Sequence, residues 1–569
     1  MSLVSLYDEA SLWMTPSGAK DGKLFSELPT DGSGDFTFSR GSNLAATRVG
    51  PTGLIEKGRE NLAYNSDWSG VSTDTNPTGW TQFLVGTGTF NATGTSGQIR
   101  LQTSDASSRV IIYSNTIGTN GILAVSAYVD AVATTIQLSN LISRSATSTQ
   151  LLAFEDGVEI SYSDNIQAGK RYLVIFNQSA PTEYRFGVGT SSSVLGDVTI
   201  SRPQIEQGLV ATEYIPSPVG STGKAGLLED EPRLDYSGGA TCPSLLLEPS
   251  RTNLVKQSEY FNVPPWSEYV FGGASLTRTF GYESPEGNNN AYKFDVVVGA
   301  GGVLLTDNIT INPANAQTLS VYMKGENGGE KVMLALRNSG SAGASGDIMT
   351  LTSEWARYNV TLTTDSADRG FQFRMLSSNG VVDQTIYVYG AQLESGSYPT
   401  SYIPNHSGGS VTRGADICYN ATDDFAGADQ VTLFAELDNN GNDRSGSFFR
   451  FNLNQNTSTS EWIFLGYESG KAVRFYVRSN ASTSVDRSAG NYGAGTLKMA
   501  AKIDSEGNYK LFANGVQIAY GSNAVFSPSL NRINIGQTNG TTNMEDRAKQ
   551  LLVFPTALTD SECIKLTTL

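Results

Sequence analysis

Three cysteines and one histidine in 569 residues leave little room for thiol or imidazole chemistry. Cys242, Cys418 and Cys563 stand far apart without CxxC spacing, which argues against a disulfide framework or a zinc knuckle and leaves buried, reduced thiols as the expectation. His406 lies in a Gly- and Ser-rich stretch with no GxSxG elbow, so a nucleophile–histidine couple has nothing to build on and a solvated linker histidine is expected. Basic residues are short as well: 39 Lys and Arg against 55 Asp and Glu give a formal charge of -16, with no Lys/Arg block above that background. Phosphate binding needs such a block, so nucleic acid is not an expected partner, whereas calcium or a neutral sugar is compatible. No run of about 18 apolar residues occurs, and the opening MSLVSLYDEASLWM lacks a basic stretch followed by an apolar one. Neither a membrane span nor a secretion signal is expected.

What the chain has in quantity is glycine (60), tyrosine (25) and phenylalanine (24), among tracts of Ser, Thr and Asn. That mixture favours short strands joined by tight turns, and the length implies about three or four domains. A phrase near the start also returns. Glu56, Arg59, Asn61 and Leu62 reappear 192 residues on as Glu248, Arg251, Asn253 and Leu254, and QIEQGLVATEYIP (204–216) reappears as QLESGSYPTSYIP (392–404). VSAYV and LSVYM, and Arg171-Tyr172 and Arg357-Tyr358, match in between, so one module is used twice.

Alternation within the second copy (Phe371, Phe373, Met375; Leu319, Val321, Met323) predicts half-buried strands of an antiparallel sandwich. After each YIP ending, PSPVGSTGKAG and PNHSGGSVTRG read as linkers. Past residue 413 the alternation resumes in Phe449, Phe451, Leu453 and Val473, Phe475, Val477, with an Asn514-Gly515 hairpin signal, so a third β domain closes the chain. Leu3, Leu6, Tyr7, Ala10 and Trp13 fall on one side of a short helix, which would pack onto the first module or anchor the chain to an assembly. The expected architecture is mainly β: an anchor segment at 1–35, a sandwich at 36–219, its duplicate at 220–413 and a further sandwich at 414–569.

Candidate chemistry is sparse. Glu229, Asp230 and Glu231 are consecutive beside Pro232 and would diverge, so they make no glycosidase pair, which needs two carboxyls facing each other across a bond. LDNNGNDRSG offers Asp438, Asn440, Asn442 and Asp443 as oxygen ligands for calcium, but no glutamate closes the loop and an Asn/Gly turn explains the same letters. Sugar binding needs flat aromatic faces with amide or carboxylate neighbours. Trp80 and Trp266, at comparable places after the module openings, and Trp462 with Tyr467 are the candidates, with core packing as the alternative for each. Arg59 and Arg251 are expected to hold the first strand.

LLLEPSRTNLVKQSEYFNVPPW, PEGNNNAYKF, LSVYMKG, EWARY and IYVYGAQLESGSYPTSYIP together resemble a module of tailed-bacteriophage head fibre or head spike proteins, those of crAss-like phages among them. NLAYNSDWSG with PTGW resembles the opening of a jelly-roll carbohydrate-binding module. LKMAAKIDSEGNYKLFANGVQ, SLNRINIG and LLVFPTALTDSE are similar to concanavalin A-like, laminin-G-like lectin domains. The resemblance implies a non-enzymatic virion protein and a homotrimer. It further implies attachment to other capsid or tail proteins through the N-terminal region and adhesion to cell-surface glycans. It does not extend to the acidic last strand that holds calcium in such jelly rolls, where this chain has Gly390-Ala391. A tail-associated polysaccharide depolymerase and a purely structural decoration remain as alternatives.

Overall fold

The computed structural model describes the chain apart from residues 1–5, 43, 73–74, 94, 106, 145–146, 189–194, 263, 265, 311–315, 338–343, 364–368, 422–427, 440–446, 456–458, 469, 537–545 and 569. The described residues form three antiparallel two-sheet sandwiches, the mainly β architecture the alternation predicts. In the first, a four-stranded sheet edged by Thr81–Val85 faces a seven-stranded sheet centred on Gly121–Val132. In the second, a five-stranded sheet edged by Trp266–Phe271 faces another containing Ala316–Gly325 and Gln384–Ser395. The third pairs an eight-stranded with a nine-stranded sheet. Its helix, Asp560–Thr567, starts on a capping box made by Thr559 and Glu562.

The repeated phrase now has a physical explanation. Asn61 is fully buried, its Nδ2 donating to the carbonyls of Pro203 and Ile215 and its Oδ1 accepting from the N–H groups of Ala63 and Ile205. Asn253 repeats this on Ala391, Ile403, Val255 and Leu393. One amide thus ties the first strand, the last strand and the YIP tail of each copy. Arg171 holds the Thr212 carbonyl and Ser126 Oγ as Arg357 holds Thr400 and Ser320, and Glu206 receives the Thr212 hydroxyl as Glu394 receives that of Thr400. Of the two arginines in the phrase, Arg59 pairs with Glu286 at 2.9 Å while Arg251 lies over the Tyr398 ring.

Several boundaries differ from the sequence expectation. The supposed linkers are strands: Gly223–Gly226 pairs with Gly58–Asn61, and Val411–Arg413 with Arg251–Asn253, so each tail zips onto its own opening phrase. Arg233–Asp235 and Ser244–Leu247, assigned above to the second module, pair into the eight-stranded sheet of the third sandwich. The N-terminal segment, expected as a unit of its own at 1–35, is also part of that sandwich. Leu12–Met14 pairs with residues 551–553, and Phe36–Ser39 with 417–419. Leu6 and Ala10 bury against Phe434, Phe512, Leu552 and Cys563. The expected helix ends early: Leu6 and Tyr7 lie in a helical turn, Leu3 falls outside the described residues, and Trp13 sits in a strand.

The sandwiches are welded to one another. The seven-stranded sheet is covered on both faces, because Leu123, Val125 and Ala127 point into the first core while Ile122, Ala124 and Ile175 join the cluster that fills the second. Double coverage is why GILAVSAYV reads as a continuous apolar run without alternation. A second weld is ionic. Arg233 and Arg413 converge on Glu248, while Arg40 and Arg233 converge on Asp416, all of them buried. Burial alone would raise the Glu248 carboxyl, but the two guanidinium charges hold it far below the usual carboxylate range.

Candidate functional site

Strand parity decides which aromatics reach solvent. Trp80 and Trp266 do not: they are 4% and 0% exposed, and their indole N–H groups donate to the carbonyls of Tyr64 (2.9 Å) and Gln257 (3.2 Å). These equivalent tryptophans bolt the module cores, so their assignment to glycan binding is corrected. Tyr467 is likewise core, its hydroxyl donating to the Tyr492 carbonyl at 2.6 Å. Trp462 is different. It opens the strand Trp462–Glu468 on the outward parity and is only partly buried. Of the calcium candidates, Asp438 lies on Val431–Asn439, its carboxylate 3.9 Å from Lys549 Nζ, while Asn440, Asn442 and Asp443 fall outside the described residues. Among the described residues no three acidic, His or Cys side chains gather into a metal-sized group.

Trp462 belongs to an aromatic–arginine face. In the nine-stranded sheet Phe449, Phe451, Ile463, Leu465, Val473 and Phe475 point inward, so the residues between them point out. The register places Asn452, Phe464, Tyr476 and Asp486 in one outward row, and Arg450, Gly466, Arg474 and Ser488 in the next. Phe464 and Tyr476 stack at 5.1 Å and 14°, with the Trp462 ring 5.0 Å from Phe464 and 5.5 Å from Tyr476. Two guanidinium groups lie over this aromatic cluster: Arg450 is 4.7 Å from the Phe464 centroid, and Arg474 is 5.4 Å from Tyr476. Gly466, between them, puts no side chain in the way.

Carboxylates fix the guanidinium planes. Glu468 receives Arg450 Nε (2.9 Å) and Nη2 (2.7 Å) on one oxygen and Arg474 Nη1 (2.6 Å) on the other. Asp486 takes Arg474 Nε and Nη2 at 2.8 and 2.9 Å, and these bonds, with burial opposing them, raise the Arg474 pKa further. Two polar atoms here have no partner although they are buried: Trp462 Nε1 and Asn452 Oδ1. With both guanidinium groups over its ring Phe464 is 1% exposed, and Asn452 is fully buried, so a polyol on this face would meet the partly exposed Trp462 and Tyr476 rings and the guanidinium edges. Hydrolysis is less well served, since both carboxylates are engaged with arginine.

The duplicated modules show a plainer form of the same pattern. On their edge strands Phe83 and Val85, and 186 residues later Tyr269 and Phe271, face outward; Tyr269 is 62% exposed. Each outward face also holds an arginine with an unpartnered Nε: Arg185, 5.1 Å from the Tyr113 ring, and Arg374, which bonds Gln372 at 3.0 Å. Tyr269 and Phe271 stand on the same strand as Trp266 but on the other face, and Phe83 stands on the strand that Trp80 directly precedes. WSEYVF has aromatics on both parities, so spacing alone could not choose between them.

One cluster had no signal in the sequence. Glu259 and Glu286 lie buried where the first two sandwiches meet, sharing Lys57 Nζ at 3.2 and 2.6 Å. The Tyr389 hydroxyl lies between the two carboxylates, and Tyr402 (2.9 Å) and Asn290 (2.9 Å) complete the shell of Glu259. Burial would push both carboxyls up; the Lys57 charge overcomes it and holds both below the ordinary range. His406, expected in a solvated linker, is 4% exposed here with Nε2 3.4 Å from Glu259. The adjoining cavity, about 20 Å³ between Lys57, Arg59, Glu206 and His406, is water-sized, so this acid pair joins modules and has no room for a substrate.

No protein-family model matches the chain, and no curated protein does. Among solved structures it is similar to the carbohydrate-binding module CBM40 of the Ruminococcus gnavus IT-sialidase bound to α2,3 sialyllactose, at 18% identity and a TM-score of 0.22 over 25% of this chain and 85% of that one. It is also similar to domain 4 of AbnA, a Geobacillus stearothermophilus arabinanase, in complex with arabinotriose, at 17% identity and a TM-score of 0.22 over 27% and 73%. A family 29 carbohydrate-binding module variant gives 15% identity and a TM-score of 0.19 over 26% and 85%. Each likeness spans about a quarter of the chain.

Proposed function

We propose that this protein is a non-enzymatic adhesin that holds glycans on the outward sheet faces of its welded sandwiches, with the Trp462–Phe464–Tyr476 face as the principal site. The observation that carries the proposal is the pair of partly exposed rings, Trp462 and Tyr476, 5.5 Å apart beside the oriented Arg450 and Arg474 guanidinium groups. Sugar rings stack through their C–H faces on such rings while hydroxyls reach the guanidinium edges. Weak sites on several faces add by avidity, about 10²- to 10⁴-fold where geometry allows joint contact, and rigid welding fixes that geometry. The resemblance of the second copy's phrases supports display on a tailed-phage particle as a head fibre or spike, in homotrimeric form, and that of LKMAAKIDSEGNYKLFANGVQ supports a concanavalin A-like final domain.

Binding of purified protein to a glycan array, repeated with Trp462→Ala and Tyr476→Ala, tests the site. Loss of binding in both variants, with unchanged circular dichroism, is the expected result; retention in both would overturn it. Reducing-end release from any bound glycan would overturn the non-enzymatic reading. Antibody labelling of intact particles, with light scattering of the free protein, tests the virion and trimer assignments.

A further inference from the structure

We infer that the groove where the first two sandwiches meet is a second saccharide site, one that takes a single neutral pyranose unit and is formed only by the docked pair. The inference rests on the adhesin reading for its ligand class and on separate geometry for its location.

The groove has a volume of about 330 Å³, at the lower end of the range for small-molecule sites (about 300 to 1,000 Å³) and suited to one ring rather than a chain. Its walls come from both modules. Phe154 of the first and Phe280 of the second meet across the junction at 5.9 Å and 58°, making an angled aromatic floor with Leu209, itself buried. Facing this floor are Asn288 and Asn289 from the second module and Arg171 from the first.

The charges present are neutralised locally. Asp156 at the rim is taken up by Lys170 (2.8 Å) and by the Arg171 N–H (2.9 Å), while the Arg171 guanidinium is engaged with the Thr212 carbonyl and Ser126 Oγ. An ionic ligand would find no free counter-charge, whereas a polyol would find the exposed Asn289 carboxamide and an apolar surface for its ring face. Arg171 has an equivalent, Arg357, making the same internal bonds, so its backbone-holding role belongs to the module. Arg171, and not Arg357, lines this groove. On the far side Asn288 Nδ2 lies 3.4 Å from Glu286 Oε2, which connects the groove wall to the ion cluster that welds the modules.

The test is titration of the full chain, methyl-labelled at Leu209, Val210 and Ala211, with glucose, galactose and N-acetylglucosamine. Saturable shifts of these methyls are expected for at least one sugar. Asn289→Ala, which removes an exposed side chain, should weaken that response about fivefold, one hydrogen bond's worth, and Ala211→Trp, which fills the groove, should abolish it. Trp462→Ala should leave it unchanged. Methyls that do not respond to any of the three sugars, or a response that survives Ala211→Trp, would overturn the groove while leaving the C-terminal face to its own array result. Loss with Trp462→Ala would assign the binding to that face alone.

Discussion

Asp307 carries a cost that can be worked out and measured. It lies on the second module's strand Gly302–Thr310 opposite Trp266, fully buried, with Oδ2 accepting the Lys256 N–H at 2.9 Å and Oδ1 unpartnered. Burial pushes its pKa from 3.8 to about 6, with the Lys256 N–H and charge pulling weakly the other way. A shift of about two units means that the ionised carboxylate costs the fold about 3 kcal/mol at neutral pH. The folded module holds this proton more tightly than the unfolded chain does. The contribution is therefore fully present below about pH 4 and lost as pH rises through about 6, and going from pH 7 to pH 5 recovers about 1 kcal/mol. Asp307→Asn, nearly the same shape, removes the titration. The measurement is urea unfolding at the two pH values, followed by hydrogen exchange in the peptide covering residues 302–310 so that this module's own transition is read. Wild type should gain about 1 kcal/mol more than the variant on acidification. Equal gains in the two proteins would refute a buried, proton-binding Asp307.

Other outcomes follow from the welds and from the duplicated circuit. Lys57→Met leaves Glu259 and Glu286 without their shared cation and should cost about 3 to 5 kcal/mol, seen as a lower Tm and as new proteolytic cleavage between the first two modules. Asn61→Ala and Asn253→Ala each delete equivalent buried bonds, so both should destabilise, by similar amounts of about 2 to 4 kcal/mol, and a large inequality would count against equivalence. Deleting residues 1–40 should expose edges of both C-terminal sheets, so hydrogen-exchange protection should collapse at 431–503 but persist at 121–205. Cys242 is exposed, whereas burial raises the thiols of Cys418 and of Cys563, the latter to about 12. A thiol reagent should therefore label one cysteine quickly and the other two only on unfolding.

Much of the fold was legible because it depends on local pattern. Alternation in Phe449–Leu453 and Val473–Val477 identified inward faces correctly, and repetition of the phrase around Asn61 and Asn253 marked a module built twice. Other features followed rules that short-range pattern does not carry. PSPVGSTGKAG and PNHSGGSVTRG have the composition of linkers, yet pairing with their own opening phrases makes parts of them strands. Trp80 and Trp266 have the chemistry of a sugar platform, yet their parity turns them into the core. Tyr269 and Phe271, on the same edge strand, take the exposed position.

The sequence by itself determined the β class and the duplication, and it named Trp462 without saying which way its ring faces. Tertiary structure alone decided that Lys57, Glu259, Glu286 and His406 share one buried site, that the N-terminal strands complete the last sandwich, and that a groove opens between Phe154 and Phe280. The physical reason is distance along the chain. Contacts between residues hundreds of positions apart are set by which faces the sandwiches bury against one another, and no local period or spacing records that choice.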